Sequence, residues 1–308
     1  MRTDSIYKDV KWVDLENPTS TEVRQLIEEF DIAPIVANEL ISPSIRSHVD
    51  VHPKFLYLIL HFPCSYSPNA DETETKKTQE IDFIIGKNFI ITTHYDSIDA
   101  LHDFSKMFEV QSILDKSDLA NHGGFVFYYM AKHFYRNMIH KIEMVQDLIA
   151  ETETKIFHGE ERQMVTEISR LNRVLLTFKE AISSHEEVLK SFEIAGQKFF
   201  EEEFKYHLHA ILGEYNKVSK KIENTKEYLH ELRQTNDSLL STKQNEIVKN
   251  LTLMSFIFFP LALVAGIFGM NANYMPIIGT ANDFWKIILI MSVLSIMMFG
   301  LFKQKKWF

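Results

Sequence analysis

Asn245, Val248, Thr252, Ser255, Phe259, Ala262, Gly266 and Gly269 follow one another at spacings of 3, 4, 3, 4, 3, 4 and 3. An alternation averaging about 3.5 residues keeps all of them on one side of a helix packed in a left-handed bundle. That side collects Thr252 and Ser255, the polar residues of an otherwise apolar run from Leu251 to Met270, together with both of the run's glycines and Ala262. Small and polar side chains on one stripe either let helices approach closely or line a narrow wet path. Spacing alone leaves both open. The stripe closes on Gly269, Met270 and Asn271. An asparagine just past a helix also has a plainer use, as a left-handed cap.

No other grouping offers reaction chemistry. The chain has no phosphate-binding glycine loop, no defensible Ser/His/Asp arrangement and no metal-hydrolase spacing, so it reads as a non-enzyme. Cys64 is the single cysteine, which leaves no intrachain disulfide or CxxC zinc site and suits a reducing cytosol. Of thirteen histidines, His207 and His209 stand two apart on a helical stretch, so they point to different faces and do not chelate as a pair. His94-Tyr95-Asp96 reads as a polar strand end. A net charge of −9 works against nucleic acid, whose phosphates need a basic patch, and favours cations. From Glu143 to Glu203, fourteen acidic residues stand against seven basic ones, in the simplest reading a solvated helix face.

The elements that must hold the stripe are two apolar runs. Leu251–Met270 matches the roughly 20 residues that cross a hydrocarbon core of about 30 Å. A second run, Phe284–Phe302, carries only Lys286, close enough to its end to reach the interface, and Trp285 and Trp307 stand where interfacial aromatics belong. The short link between the runs allows only an antiparallel hairpin. Lys243 and Lys249 precede the first run and Lys303, Lys305 and Lys306 follow the second, while residues 271–282 hold no Lys or Arg. By the positive-inside rule both termini are cytoplasmic. The opening MRTDSIYKDVKWVDL lacks a signal-peptide layout, so insertion falls to the C-terminal runs. Two helices cannot enclose water, so one chain alone is an anchor and a conduit needs several copies.

Upstream, VKWVDL and FLYLILHF read as strands, and EIDFIIGKNFIITTHY as two strands turned at Gly86-Lys87-Asn88. Thr19 or Ser20 can cap a helix with Glu22 following and Val23, Leu26, Ile27 and Phe30 on one face. Ser67–Gln79 is a polar loop. No proline occurs from Asn69 to Phe259, so long helices are open to this region. The periodicity predicts one over Phe125–Phe157 stopped at Gly159, a second from Glu160 to Ile194 broken near Gly196, and a third from about Gln197 into the membrane. A soluble helix of that length needs neighbours, and self-association is the simplest source.

With these elements placed, the chain resembles the CorA family of divalent-cation transporters. The likeness rests on Gly269-Met270-Asn271 closing the first span, YMP at Tyr274 to Pro276, NEIVKNLT leading in, Pro260 within it and KQKKW after the second span, roughly residues 243–308. The resemblance implies a homopentameric funnel in the cell (inner) membrane: an α+β cytoplasmic domain (1–118), long helices (119–250), a pore-lining span (251–270), an outer loop (271–283), a second span (284–302) and a basic tail (303–308). Five copies of Gly269, Met270 and Asn271 would form the outer mouth, where Asn271 meets Mg²⁺ through ion-bound waters. Asn245 would add a second polar ring, Thr252 and Ser255 hydroxyls, Gly266 backbone carbonyl, Val248 and Phe259 hydrophobic constrictions, and Ala262 a small pore-lining position.

The implied cargo is Mg²⁺, with Co²⁺ or Ni²⁺ as similar hydrated ions, and no cofactor is implied. Lipid, divalent cations and further copies of the chain are the expected partners. Ala262 stands where many members carry threonine, Phe259 where methionine is common, and MPIIG lacks the usual acidic residue. The family senses cytoplasmic metal through aspartates between subunits. Counted back from Asn245 without gaps, that helix position falls at His209-Ala210, with Glu214 or His209 as possible substitutes, so the regulatory site is unassigned. Two other readings stand: a zinc transporter of the same superfamily, and a membrane-anchored helical scaffold.

Overall fold

This computed structural model describes residues 1–7, 9–44, 46–64, 78–109, 122–200, 202–270, 276–279 and 282–305. Two compact units divide it, Met1–Gln234 and Thr235–Phe308.

The first unit opens with β1 (Arg2–Tyr7), β2 (Val10–Glu16), α1 (Ser20–Phe30), α2 (Pro34–Glu39), β3 (Val49–Val51), β4 (Phe55–Pro63), β5 (Thr78–Gly86), β6 (Phe89–His94) and α3 (Asp99–Glu109). Thr19 and Glu22 cap α1 reciprocally, as their spacing predicts: the Glu22 N–H donates to the Thr19 hydroxyl oxygen and the Thr19 N–H to the Glu22 carboxylate. The six strands form one sheet in the order β1-β2-β6-β5-β4-β3. Every pairing is antiparallel except β2 with β6, where Lys11 to Glu16 run beside Phe89 to His94.

Both faces of the sheet are covered, so β4 and β5 are buried at nearly every position, Glu80 and Asp82 included. On one face α1 and α2 bury Val23, Leu26 and Val36 against Val13, Tyr57 and Ile84. On the other, α3 and the long helices pack on Trp12, Leu58 and Phe83. Each fully buried large aliphatic contributes about 1.5–3 kcal/mol.

The helices that follow are α4 (Gly123–Lys155), a π turn at Ile156–Glu160, α5 (Glu161–Ala181), α6 (His185–Phe199), a 3₁₀ turn at Glu202–Phe204, α7 (Lys205–Gly269) and, after the loop, α8 (Asp283–Gln304). Gly123 begins α4 because nothing larger fits: a Cβ there would lie 2.3 Å from the Phe89 carbonyl oxygen, and the Gly123 N–H donates to Lys87 O at 2.8 Å. Gly159, at φ +98°, turns the chain between α4 and α5 as expected.

Two boundaries differ from expectation. The expected second stretch is interrupted at Ile182–Ser184, and its break from the third follows Phe199 rather than falling near Gly196. Gly196 instead sits inside α6, where a Cβ would come within 2.8 Å of a Leu208 methyl, so this glycine serves close packing on α7. Because α6 runs on to Phe199, α7 starts at Lys205 rather than near Gln197. Its 65 residues still make a helix about 100 Å long at 1.5 Å per residue.

Candidate ion-conduction site

The sequence stripe lies on the C-terminal part of α7, an unbroken helix that includes Pro260. Asn245, Val248, Thr252, Ser255, Phe259, Ala262, Gly266 and Gly269 are all exposed, Phe259 at 74%. On the same helix Leu253 is buried and Ile257, Pro260, Leu261, Val264 and Phe268 are half-buried. At about 100° per residue the covered set and the open set centre about 180° apart. The covered face is therefore apolar, and the stripe lies opposite it, flanked by exposed apolar residues that include Met254, Phe256, Phe258 and Leu263.

The partner stripe on α8 has the same periodicity. Ile287, Met291, Leu294, Ser295 and Met298 are half-buried and Phe302 is buried, while the remaining positions of Phe284–Leu301 are exposed. Both helices are long and apolar enough to cross a membrane. Lys286 falls in the first turn of α8 and Lys303 in the last. Asp283, the carboxylate beside the loop, is engaged by backbone, accepting from the N–H of Gly279 at 3.2 Å and of Phe284 at 2.7 Å.

The chemistry of the stripe is that of neutral oxygen. Thr252 Oγ1 donates to Val248 O at 2.8 Å and Ser255 Oγ to Leu251 O at 2.9 Å. With its hydrogen committed to the helix, each hydroxyl presents lone pairs outward. Such oxygens accept hydrogen bonds from the waters of a hydrated cation. Gly266 and Gly269 have no positive φ, and a Cβ on either would meet nothing within 4 Å. The single chain gives no reason for these glycines, whereas close approach by another helix does.

Met270 ends the described part of the helix, exposed, with its N–H on Ile267 O at 3.4 Å. Asn271 and the stretch to Met275, Lys306 and Trp307 lie outside the described residues. Of the two substitutes considered for a metal sensor, His209 pairs with Glu193 at 3.4 Å and Glu214 with Lys217 at 3.0 Å. His207 is packed among the rings of Phe125, Tyr128 and Phe204, away from His209 in role and surroundings, and burial lowers its pKa. Among the described residues no three His, Cys, Asp or Glu side chains are grouped to hold a metal. Sequence reasoning assigned Leu253, Phe256, Ile257, Leu261, Val264 and Ile267 to lipid or the second helix; Leu253, Ile257, Leu261 and Val264 are covered, whereas Phe256 and Ile267 are exposed.

Residues 7–304 match the profile of the family described as CorA-like Mg²⁺ transporter protein. The putative metal ion transporter YfjQ of Bacillus subtilis is 25% identical over 96% of this chain and 89% of its own length. The cobalt/magnesium transport protein CorA of Thermotoga maritima is 23% identical over 96% of this chain and 83% of its own. The fold matches the complete CorA magnesium transporter from Methanocaldococcus jannaschii with a TM-score of 0.81, at 20% identity, over 99% of this chain and 95% of that one. An α+β domain, long helices and two apolar C-terminal helices, under a family match that runs nearly end to end, make this chain a member of the CorA-like Mg²⁺ transporter family, which carries divalent cations across membranes.

Proposed function

We propose that copies of the chain, five in the arrangement the resemblance implies, surround a common axis with the α7 stripe inward and conduct hydrated Mg²⁺ into the cytoplasm. The observation that carries this reading is the opposition of the two faces of α7. Leu253 and its neighbours on one face are covered, while the hydroxyls and glycines opposite them are exposed and open to other copies, with Phe258 and Leu263 exposed beside them. Mg²⁺ holds its octahedral water shell tightly and dehydrates reluctantly. Neutral acceptors hold the outer waters without stripping them, so the ion is captured yet released, whereas a ring of carboxylates would retain it.

In this reading Gly269, Met270 and Asn271 form the outer mouth, with Asn271 accepting from the ion's waters. Asn245 makes the inner polar ring, Thr252 and Ser255 the hydroxyl rings, and Val248 and Phe259 the constrictions that gate by dewetting. Ala262 and Gly266 keep the wall thin between them. Lysines at the far ends of both spans support cytoplasmic termini by the positive-inside rule. Inward flow needs no nucleotide: a divalent ion gains about 4.6 kcal/mol per 100 mV of inside-negative potential. The name of the Thermotoga maritima relative adds Co²⁺ as a second cargo.

The deciding measurement is ion uptake by vesicles containing the purified protein, with Mg²⁺, Co²⁺ and Zn²⁺ offered in turn under an imposed potential. Mg²⁺ uptake that grows with inside-negative potential is expected. Asn271→Ala is expected to abolish it while leaving the oligomer intact. Full uptake by that variant would remove the mouth assignment, Zn²⁺ preference would replace the cargo, and no flux at all would leave a scaffold.

A further inference from the structure

Along β5 the side chains of Glu80, Asp82 and Ile84 share one face of the sheet, the face on which α1 and α2 pack, since Ile84 joins a core with Val36 and Ala37. Two of these three positions are carboxyls, and both are buried, Asp82 at 1% exposure and Glu80 at 6%. A carboxylate taken out of water needs a cation or a full set of donors. Glu80 has donors: the Ser44 N–H reaches its two oxygens at 3.0 and 2.7 Å, and His61 Nε2 lies 3.3 Å from Oε2. Asp82 has half a set. The Thr93 hydroxyl donates to Oδ2 at 2.9 Å, and no donor reaches Oδ1.

The groups around the pair supply no countercharge. From β4, His61 Nε2 also lies 3.2 Å from Ser44 O, and its Nδ1 is 2.9 Å from the Ser47 hydroxyl, contacts that a neutral ring satisfies. Tyr57, fully buried on the same strand, has a hydroxyl with no partner. From β6 comes Thr93, and just past that strand Tyr95, whose hydroxyl donates to the Glu39 backbone oxygen at 3.4 Å. From α2 comes Glu39, a further acid, and the His48 that approaches its carboxylate at 3.7 Å is as close to Asp50. Among the described residues no lysine or arginine pairs with Glu39, Glu80 or Asp82.

Asp82 is in hydrogen-bonding contact with the Glu80 carboxyl, and two acceptors hold such a contact only with a hydrogen between them. Burial, and after it the charge of Glu80, raises the Asp82 pKa well above its ordinary 3.8, against the lowering by the Thr93 bond. We propose that Glu80 and Asp82 hold one proton between them in the folded chain, and that its loss to solvent at alkaline pH drives the two carboxylates apart and frees the segment around Ser44 from the sheet. The folded chain keeps a proton that the unfolded chain releases, so this contribution to stability is complete below 3.8 and is lost as pH rises toward the folded value. The pair lies wholly within Met1–Gln234, so its test stands whether or not the α7 stripe conducts.

The test is infrared spectroscopy of the purified full-length protein beside Asp82→Asn, whose amide keeps a hydrogen for Glu80 and an oxygen for Thr93. At neutral pH the unsubstituted chain is expected to show a carboxylic C=O stretch that the variant lacks, and raising the pH should replace it with carboxylate bands. Hydrogen exchange across the Ser44 segment should quicken over the same range, to about tenfold or more above the variant at equal pH. Denaturant midpoints should agree, the advantage of Asp82→Asn growing with pH. Glu80→Gln removes the neighbouring charge, so its carboxylic band should vanish at lower pH. No carboxylic band at neutral pH, an undiminished band in Asp82→Asn, or Ser44 exchange that matches the variant at every pH overturns the proposal. If Asp82→Asn fails to fold, the band of the unsubstituted chain and its earlier loss in Glu80→Gln decide.

Discussion

A missing side chain at Gly266 costs helix propensity of about 1 kcal/mol relative to alanine, and nothing in its own chain recovers it. In the proposed assembly its use lies where neighbouring copies meet. Gly266→Leu is therefore expected to leave thermal unfolding of the chain unchanged or slightly improved while lowering Mg²⁺ uptake by about tenfold or more. Normal uptake would show that the stripe faces lipid. A second residue, His185, carries a pH signature. Tyr135 OH donates to its Nδ1 at 2.9 Å and its Nε2–H donates to His61 O at 2.9 Å, which fixes a neutral ring. Burial pushes its pKa from 6.5 down to about 3. Between those values the unfolded chain binds a proton that the folded chain does not, so this contribution is complete above 6.5 and is lost as pH falls toward 3. Denaturant midpoints measured down that range should fall more steeply for the unsubstituted protein than for His185→Leu. Equal slopes would mean that the ring is not buried neutral.

The close approaches of helices separate two kinds of glycine. At Gly123 an added Cβ meets backbone, the Phe89 and Gly86 carbonyl oxygens at 2.3 and 2.5 Å, which cannot step aside. At Gly196 it meets the methyl end of Leu208 at 2.8 Å, which can. Gly123→Ala is expected to cost about 2–3 kcal/mol of stability, whereas for Gly196→Ala the gain in propensity, about 1 kcal/mol, offsets most of the strain. Thermal unfolding of the two variants side by side checks the order, and a milder effect at Gly123 would contradict the close contact.

Some elements announce themselves locally. The Thr19–Glu22 box, the Gly86-Lys87-Asn88 turn and the proline-free helices were readable because each signal lies within a few residues. Gly196 misled because a breaker and a packing notch look alike in sequence. The additional break at Ile182–Ser184 had no local signal, and the residue after it, His185, bonds to His61 O of β4, 124 residues earlier. β1, α2 and β3 had no pattern strong enough to mark them. The α7 stripe was legible from its spacing, but the face opposite it needed α8. The parallel pairing of β2 with β6 was invisible, since its paired residues lie 78 apart in sequence.

For the whole molecule, a lone chain carries one open stripe and no lumen, so transport and assembly rise and fall together. Purified protein that ran as a monomer while still passing Mg²⁺ would break the link. In the proposed assembly neighbours would meet head to tail around the axis and close as a ring. Such a ring has a genetic corollary. Every subunit borders the same conduit, and a defective copy spoils it for its companions. Cells making equal amounts of intact and Asn271→Ala chains would hold only about 3% of rings free of the defect if five copies mix at random. The lesion should then behave as dominant, not recessive.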